Sequence, residues 1–313
     1  MTPLYKRLHL FARRPMLRGG RIIGDAQNAG AVMRHWSIDE IAWNRFEAAK
    51  AAPEIVPLIK AASLVERNGR EYAAYLCRVF AADEAMCDAV RHWAEEEVQH
   101  GNALAQWAQL ADPTWDFEAA RTRFNAGYAL PHTTDGSIRG SRTGELIARC
   151  MVETGTSSYY TALADACQEP VLKQLCRHIA ADEFRHYKLF YDHMRRYQAQ
   201  EHIGPARRVM IAAGRIGEGE DDELAYAYHC ANEPESDPYV RARCSAAYLS
   251  GAMRYYRFGH IQRGIGMTLK AVGLPTQGRF AAVAARMAWW WLDWRRARLT
   301  KLQGLRSPAT ASA

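Results

Sequence analysis

The sequence predicts an all-α protein, and three observations lead to that fold class. The alternating apolar and polar runs that are typical of β-strands are absent. Long segments are dominated by Ala, Leu, Arg, Glu and Met, with apolar residues spaced three and four apart, which is the pattern of amphipathic helices. With 49% hydrophobic and 24% charged residues over 313 positions, the chain can bury a large core, which excludes intrinsic disorder.

Capping signals and helix breakers divide the first part of the chain into four predicted helices. Ser37 and Glu40 form a capping box that starts the first helix. Pro57 is tolerated in the first turn of the second helix, and Asp112-Pro113 ends the third. The predicted helices cover about residues 37–52, 54–82, 83–111 and 117–128.

A loop rich in Gly, Thr and Ser follows at residues 131–141, and a second pair of long helices is predicted beyond it. These helices run over about 142–167 and 170–200 and are separated at Glu169-Pro170. The predicted helices therefore come as a pair, a connection and a second pair.

The rest of the chain is predicted to be a helical extension that is basic and rich in aromatic residues. Residues 204–230 have a helical pattern that is broken around Gly214 and at 217–222, and 232–238 form a linker. Two further helices are predicted over 239–272 and 277–303. The chain is thus divided into an N-terminal arm and helix (1–53), a four-helix bundle (54–200) and a C-terminal extension (201–313).

The charge and the cysteines restrict the compartment and the partners. The formal net charge is +7, which favours acidic partners such as an acidic carrier protein or an anionic membrane surface; we do not expect nucleic acid. The seven cysteines are scattered without a Cys-x-x-Cys pair, so they form neither a disulfide framework nor a zinc or rubredoxin-type knuckle. The basic N-terminus lacks the apolar core of a secretory signal, and no transmembrane segment is predicted. We expect a cytoplasmic protein.

Two Glu-x-x-His motifs carry the predicted chemistry. They are Glu97-Val98-Gln99-His100 and Glu183-Phe184-Arg185-His186, each in the middle of a long helix. Residues three apart lie on the same face of a helix, so each motif directs a carboxylate and an imidazole to one point. A four-helix bundle that binds two metal ions needs two such motifs and one Glu from each of the other two helices.

Spacing selects the two additional glutamates. Glu153 precedes Glu183 by 30 residues, and Glu66 precedes Glu97 by 31, whereas Glu71 precedes it by only 26. We therefore predict Glu66 and Glu153 as ligands, with Glu71 as the alternative to Glu66. Four carboxylates and two imidazoles without a thiolate favour a pair of iron ions, with Mn/Fe or two Mn as alternatives. The opposing interpretation is that these residues form solvated helix faces.

The stretches HWAEEEVQHGNAL (92–104) and IAADEFRHYKLF (179–190) resemble the metal-binding helices of acyl-carrier-protein desaturases, within the ferritin-like di-iron carboxylate superfamily. The resemblance covers about residues 60–200. It implies a ferritin-like four-helix bundle with additional N- and C-terminal helices. It also implies that Trp93 and Asp182 surround the ligands, together with Glu96, and that Thr156 lies beside the oxygen site as a catalytic residue. Gly69 occupies the position equivalent to Thr156 in the first half, where it would leave space for a small molecule.

These observations predict an O2-dependent di-iron oxidase, desaturase or oxygenase. The expected substrate is a small apolar or carrier-tethered acyl or amino compound, with an acyl carrier protein as a candidate partner. No haem, dinucleotide or knuckle motif is present, so an external electron donor is required. The alternatives are a peroxide-scavenging or iron-handling protein of the rubrerythrin or ferritin type, and a basic binding protein with a structural metal site.

The last predicted helix has an unusual composition. Four tryptophans at 289, 290, 291 and 294 occur among several arginines and Lys301. Such a helix lies on a membrane interface or docks on a partner. The alternative is a helix packed on the bundle or on a homodimer partner, because four tryptophans within six positions are not expected to share one face.

Overall fold

The computed structural model describes residues 35–128, 136–218 and 222–304, and all of their regular structure is helical. The predicted all-α fold class is therefore confirmed for this part of the chain. The predicted N-terminal arm lies outside the described residues apart from its end. The α-helices are α1 (Val56–Arg67), α2 (Gly69–Val79), α3 (Glu84–Ala111), α4 (Phe117–Gly127), α5 (Arg142–Ala166), α6 (Pro170–Glu201), α7 (Pro205–Glu218), α8 (Asp222–Asn232), α9 (Arg241–Met253), α10 (Phe258–Val272) and α11 (Gly278–Gly304).

The three longest helices up to Glu201, α3, α5 and α6, begin at side-chain caps. The Asp83 carboxylate accepts a hydrogen bond from the Met86 amide at 3.1 Å, and Ser141 Oγ accepts one from the Gly144 amide at 3.0 Å. Glu169 accepts from two amides of the first turn of α6, which Pro170 opens. Because these caps satisfy amides that have no partner within the helix, they fix where each helix starts.

The prediction of one helix over residues 37–52 is wrong. Three short 3₁₀ helices replace it, Ile38–Glu40, Trp43–Arg45 and Ala48–Lys50, and the Ser37 side chain caps nothing. Two amides of this segment donate instead to side chains of α6 and of its N-cap: Ala42 to Gln174 at 3.2 Å and Glu47 to Glu169 at 3.2 Å. These tertiary bonds use donors that an α-helix would need internally.

The single helix predicted over residues 54–82 is divided at Asn68 into α1 and α2. The division lies where the chain packs closely against α3. A Cβ on Gly69 would be 2.6 Å from Glu97 Cβ, and a Cβ on Gly101 would be 2.5 Å from the Arg67 amide nitrogen. Glycine at both positions allows this backbone contact.

The helices around the predicted ligands pack in pairs, and the C-terminal helices cover them. α5 packs along α6, α1 and α2 pack along α3, and α3 also contacts α6. α7 and α10 pack on α5, α8 packs on α1, and α11 lies on α9 and α10. The predicted break at Gly214 is wrong because α7 continues to Glu218, and the predicted helix over 239–272 consists of α9 and α10. Among the described helices, none has the length and hydropathy needed to cross a membrane.

Candidate metal centre

The six predicted ligands come together between α1, α3, α5 and α6. All six side chains are buried, and they form two groups that share Glu97 and Glu183. Within each group, one potential ligand atom of every residue lies within 4.8 Å of the others. The groups are Glu66, Glu97, His100 and Glu183, and Glu97, Glu153, Glu183 and His186. Such a buried cluster of carboxylates and imidazoles can hold a metal ion.

Both histidines direct Nδ1 into the cluster. His100 Nδ1 lies 3.3 Å from Glu183 Oε1 and 3.8 Å from Glu97 Oε2. His186 Nδ1 lies 3.0 Å from Glu97 Oε1 and 3.8 Å from Glu153 Oε2. Both Nδ1 atoms and Glu183 Oε1 are nevertheless buried without a hydrogen-bond partner. Because buried polar atoms are normally paired, these three atoms fit the donor positions around a cation.

The outward-facing nitrogens of the same histidines are held by carboxylates. His100 Nε2 lies 2.9 Å from Asp182 Oδ2, and His186 Nε2 lies 2.7 Å from Glu96 Oε2. A carboxylate only accepts, so each Nε2 carries the proton and leaves Nδ1 available as a ligand in the neutral ring. The structure thus places Asp182 and Glu96 next to the predicted ligands.

Two residues that the sequence analysis missed donate hydrogen bonds to these carboxylates. The Arg185 guanidinium donates to Asp182 and, at 3.1 Å, to Glu96. The Trp36 indole donates to Asp182 Oδ2 at 2.7 Å, and its ring is stacked parallel to His100. Arg185 lies within the second motif and could have been considered, whereas Trp36 is 146 residues from Asp182 and no local pattern indicates the contact.

The four central carboxylates divide into two pairs by pKa. Burial and the charges of Glu97 and Glu183 raise the pKa of Glu66 well above its usual value. Burial likewise raises the pKa of Glu153, although Arg149 opposes the shift. Burial would also raise the pKa of Glu97 and of Glu183, but the neighbouring histidines outweigh this effect. They hold the pKa of Glu97 well below its usual value and lower that of Glu183 to about 2.

The pKa values of the two histidines are raised, although burial alone would lower them. Burial disfavours the imidazolium, but the surrounding carboxylates outweigh it and raise the pKa of both His100 and His186 well above the usual value. The raised pKa values favour the protonated forms of both rings and of Glu66 and Glu153. A metal ion would displace such protons, since imidazole and carboxylate ligate in their deprotonated forms.

Arg149 and Tyr160 are two further residues that the sequence analysis did not identify. The buried Arg149 guanidinium donates to Glu153 Oε1 at 2.8 Å and lies 4.6 Å from the centre of the buried Trp93 ring. Tyr160 donates to Glu66 Oε1 at 2.5 Å. Trp93 also meets His186 edge to face, with ring centroids 6.3 Å apart. Arg149 precedes Glu153 by four residues, a helix-face spacing that offered a signal.

The remaining predicted positions are Thr156, Glu71 and Gly69. Thr156 Oγ1 lies 2.5 Å from Glu183 Oε2 and is also within 3.2 Å of the Val152 carbonyl of its own helix. Glu71 is exposed on α2 and does not join the cluster. Gly69 lines the cavity that adjoins the cluster, and a Cβ at this position would lie 2.6 Å from Glu97 Cβ.

A cavity of about 450 Å³ adjoins the cluster. Glu66, Glu97, Glu153 and Glu183 form part of its wall, and Thr156 lines it as well. The rest of the wall is mostly apolar and aromatic and includes residues of α9, α10 and α11 such as Tyr248, Ile261 and Leu292. The C-terminal helices therefore border a space that reaches the carboxylates.

A second group of metal-ligating residue types, His229, Glu233 and Cys244, has other partners. Arg243 pairs with Glu233 at 2.6 Å, and Arg123 contacts His229 Nε2 at 2.6 Å. Two guanidinium groups beside these residues disfavour a cation, so we interpret the group as an ion-pair network.

Comparison with known proteins adds no family: no protein-family model matches the chain, and no curated protein matches it. The interpretation of the metal centre therefore depends on its geometry.

Proposed function

We propose that the chain is an oxygen-activating non-haem di-iron oxidoreductase built on a ferritin-like four-helix bundle. The bundle would consist of α1 with α2, α3, α5 and α6, as the resemblance of two stretches to acyl-carrier-protein desaturases implies. One observation carries this proposal. The unpaired Nδ1 atoms of His100 and His186 face carboxylates from four helices within one buried cluster.

The donor set suits two ions of iron or manganese. Glu97 and Glu183 belong to both groups and are the candidates for bridging, whereas Glu66 with His100 and Glu153 with His186 complete the two sides. Bound iron supplies one-electron redox chemistry and activation of dioxygen. Electrons would come from an external donor.

The residues around the ligands have distinct tasks in this proposal. Asp182 and Glu96 hold the Nε2 protons of the histidines and so orient both rings. Arg149 and Tyr160 donate to Glu153 and Glu66 and fix the orientation of these two carboxylates. The Thr156 hydroxyl donates to Glu183 on the cavity side, where it can carry a proton between the ligand and a substrate.

The adjoining cavity favours an enzyme acting on an organic substrate over an iron-handling protein. Storage or scavenging requires no large apolar space beside the ligands, whereas an apolar substrate needs one that excludes water. We propose an acyl or amino substrate, free or tethered to an acidic acyl carrier protein, that undergoes desaturation, hydroxylation or N-oxygenation. The seven free cysteines fit a reducing cytoplasm.

Anaerobic loading with Fe(II), followed by oxygen exposure, tests the proposal. We expect about two iron ions per chain and oxygen consumption that increases when acyl-carrier thioesters or free fatty acids are added. Titration of carrier binding with salt, against a polyanion of matched charge, tests the tethered substrate, because an electrostatic contact weakens as salt rises. Oxygen consumption that no substrate changes would favour iron handling.

A further inference from the structure

The outer face of α11 carries a continuous apolar stripe. Apart from the adjacent Trp290 and Trp291, its members follow one another at intervals of three and four residues, which places them on one face of the helix. Their side chains are between 44% and 70% exposed. The stripe consists of Phe280, Val283, Met287, Trp290, Trp291 and Trp294.

The orientation of this stripe is fixed by the opposite face of α11. Ala285 and Leu292 are buried, and Arg296 donates to the carbonyls of Met253 and, at 2.7 Å, Tyr256. Trp289 turns inward and packs edge to face on Phe258. The expectation that the four tryptophans cannot share a face holds only for Trp289, since the other three are exposed together.

α11 carries several exposed arginines and one acidic residue in addition to the apolar stripe. Arg279, Arg286 and Arg298 are exposed on α11, whereas Asp293 is the only acidic residue of the helix and bonds to Arg296. A second copy of the chain placed on this face by two-fold symmetry would oppose one set of arginines with another. The charge therefore favours an anionic surface as the occupant.

The stripe meets the cavity of the metal centre. Of the exposed large apolar side chains, Trp291 of α11 and Ile216 of α7 also line that cavity. An apolar molecule that leaves the surface at Trp291 therefore enters a space that ends at the glutamates of the cluster.

We propose that the exposed face of α11 docks on an anionic lipid bilayer. The tryptophans and Met287 enter the interface between acyl chains and headgroups, and the arginines pair with lipid phosphates. Docking requires no metal ion. Its consequence, that an apolar lipid-borne substrate passes from the bilayer into the cavity, rests on the proposed function.

Vesicle sedimentation of the full-length, metal-free chain tests the docking. We expect binding to vesicles of phosphatidylcholine with phosphatidylglycerol and much weaker binding to phosphatidylcholine alone. The pair Trp290→Ser and Trp294→Ser, and separately Arg286→Gln with Arg298→Gln, should each lower the partition coefficient by about tenfold or more. Leu110→Ser, an exposed apolar site on α3, serves as the control and should bind like the unchanged chain.

Quenching by brominated acyl chains gives a second measurement. We expect quenching of tryptophan fluorescence that is lost in the Trp290→Ser, Trp294→Ser variant while its circular dichroism stays unchanged. Equal binding of this variant and the unchanged chain overturns the proposal. So does a dimer, detected by analytical ultracentrifugation, that the variant abolishes without any vesicle binding. Iron loading of the same samples is measured separately, so a failure of docking is distinguished from a failure of the metal centre.

Discussion

Gly69 lies directly against Glu97, and no side-chain atom would fit between them. A Cβ on Gly69 would be 2.6 Å from Glu97 Cβ and 3.2 Å from Glu97 Cγ. Glu97 belongs to both groups of the metal centre. Because Gly69 has no side chain, α2 can pack directly against Glu97, which belongs to both groups.

Gly69→Ala tests this relationship. The added methyl group must displace Glu97 or separate α2 from α3, so we expect a loss of about 1–3 kcal/mol in the free energy of unfolding. Urea unfolding of the metal-free chain measures this loss, and the iron content after loading should fall as well. Gly155→Ala is the control, because a Cβ there meets nothing within 4 Å. It should stabilise α5 by up to about 1 kcal/mol, since Ala is the better helix former.

Glu66→Gln and Glu71→Gln distinguish the two glutamates that the sequence left as alternatives. Both substitutions remove one carboxylate, but only Glu66 is buried in the cluster. We expect Glu66→Gln to lower the bound iron, along with His100→Ala and His186→Ala, and Glu71→Gln to leave it unchanged. Metal analysis after desalting measures the effect. Equal iron content in both glutamine variants would contradict the assignment of Glu66.

Asp182→Asn and Glu96→Gln should weaken metal binding without removing a ligand. Each side chain orients one histidine through Nε2, and loss of such a contact typically lowers metal affinity by about 10–100-fold. Competition with a chelator of known affinity measures the change. Glu95→Gln is the matched control because Glu95 is exposed and pairs with Arg70 on the surface. If Glu95→Gln lowers the metal affinity as much as Asp182→Asn does, the loss reflects a general effect of charge.

Local patterns in the sequence predict α3, α5 and α6 and the residues of the buried Glu and His cluster. The caps at Asp83, Ser141 and Glu169 and the spacing of the two Glu-x-x-His motifs all act within a few residues of the chain. Positions three apart share a helix face whatever the tertiary structure, so a ligand pair on one helix is visible in the sequence.

The features that were missed depend on distant contacts. The capping box at Ser37 has no effect because Gln174 of α6 and Glu169 at its N-cap take the amides of that segment. The division at Asn68 reflects the close packing of α3, and Trp36 reaches Asp182 across 146 positions. The roles of α9, α10 and α11 in the cavity were equally invisible, since nothing in residues 201–313 indicates which surface these helices cover.

A substitution in the cavity should affect the substrate without affecting the bound metal. Gly155 lines the cavity two residues after Glu153 on α5, and a Cβ added there would meet no atom within 4 Å. Gly155→Leu should therefore place an apolar side chain in the space that we assign to the substrate. Because Leu is a better helix former than Gly, we expect no loss of stability.

We expect the Gly155→Leu chain to bind as much iron as the unchanged chain and to lose the oxygen consumption that depends on substrate. Gly155→Ala, which removes less of the space, should retain more of it. Iron content, thermal unfolding and oxygen uptake are measured on the same samples, so a folding defect is recognised directly. If Gly155→Leu keeps full substrate-dependent uptake, the substrate does not use this cavity, and a reaction at the outer surface of the protein becomes the better interpretation.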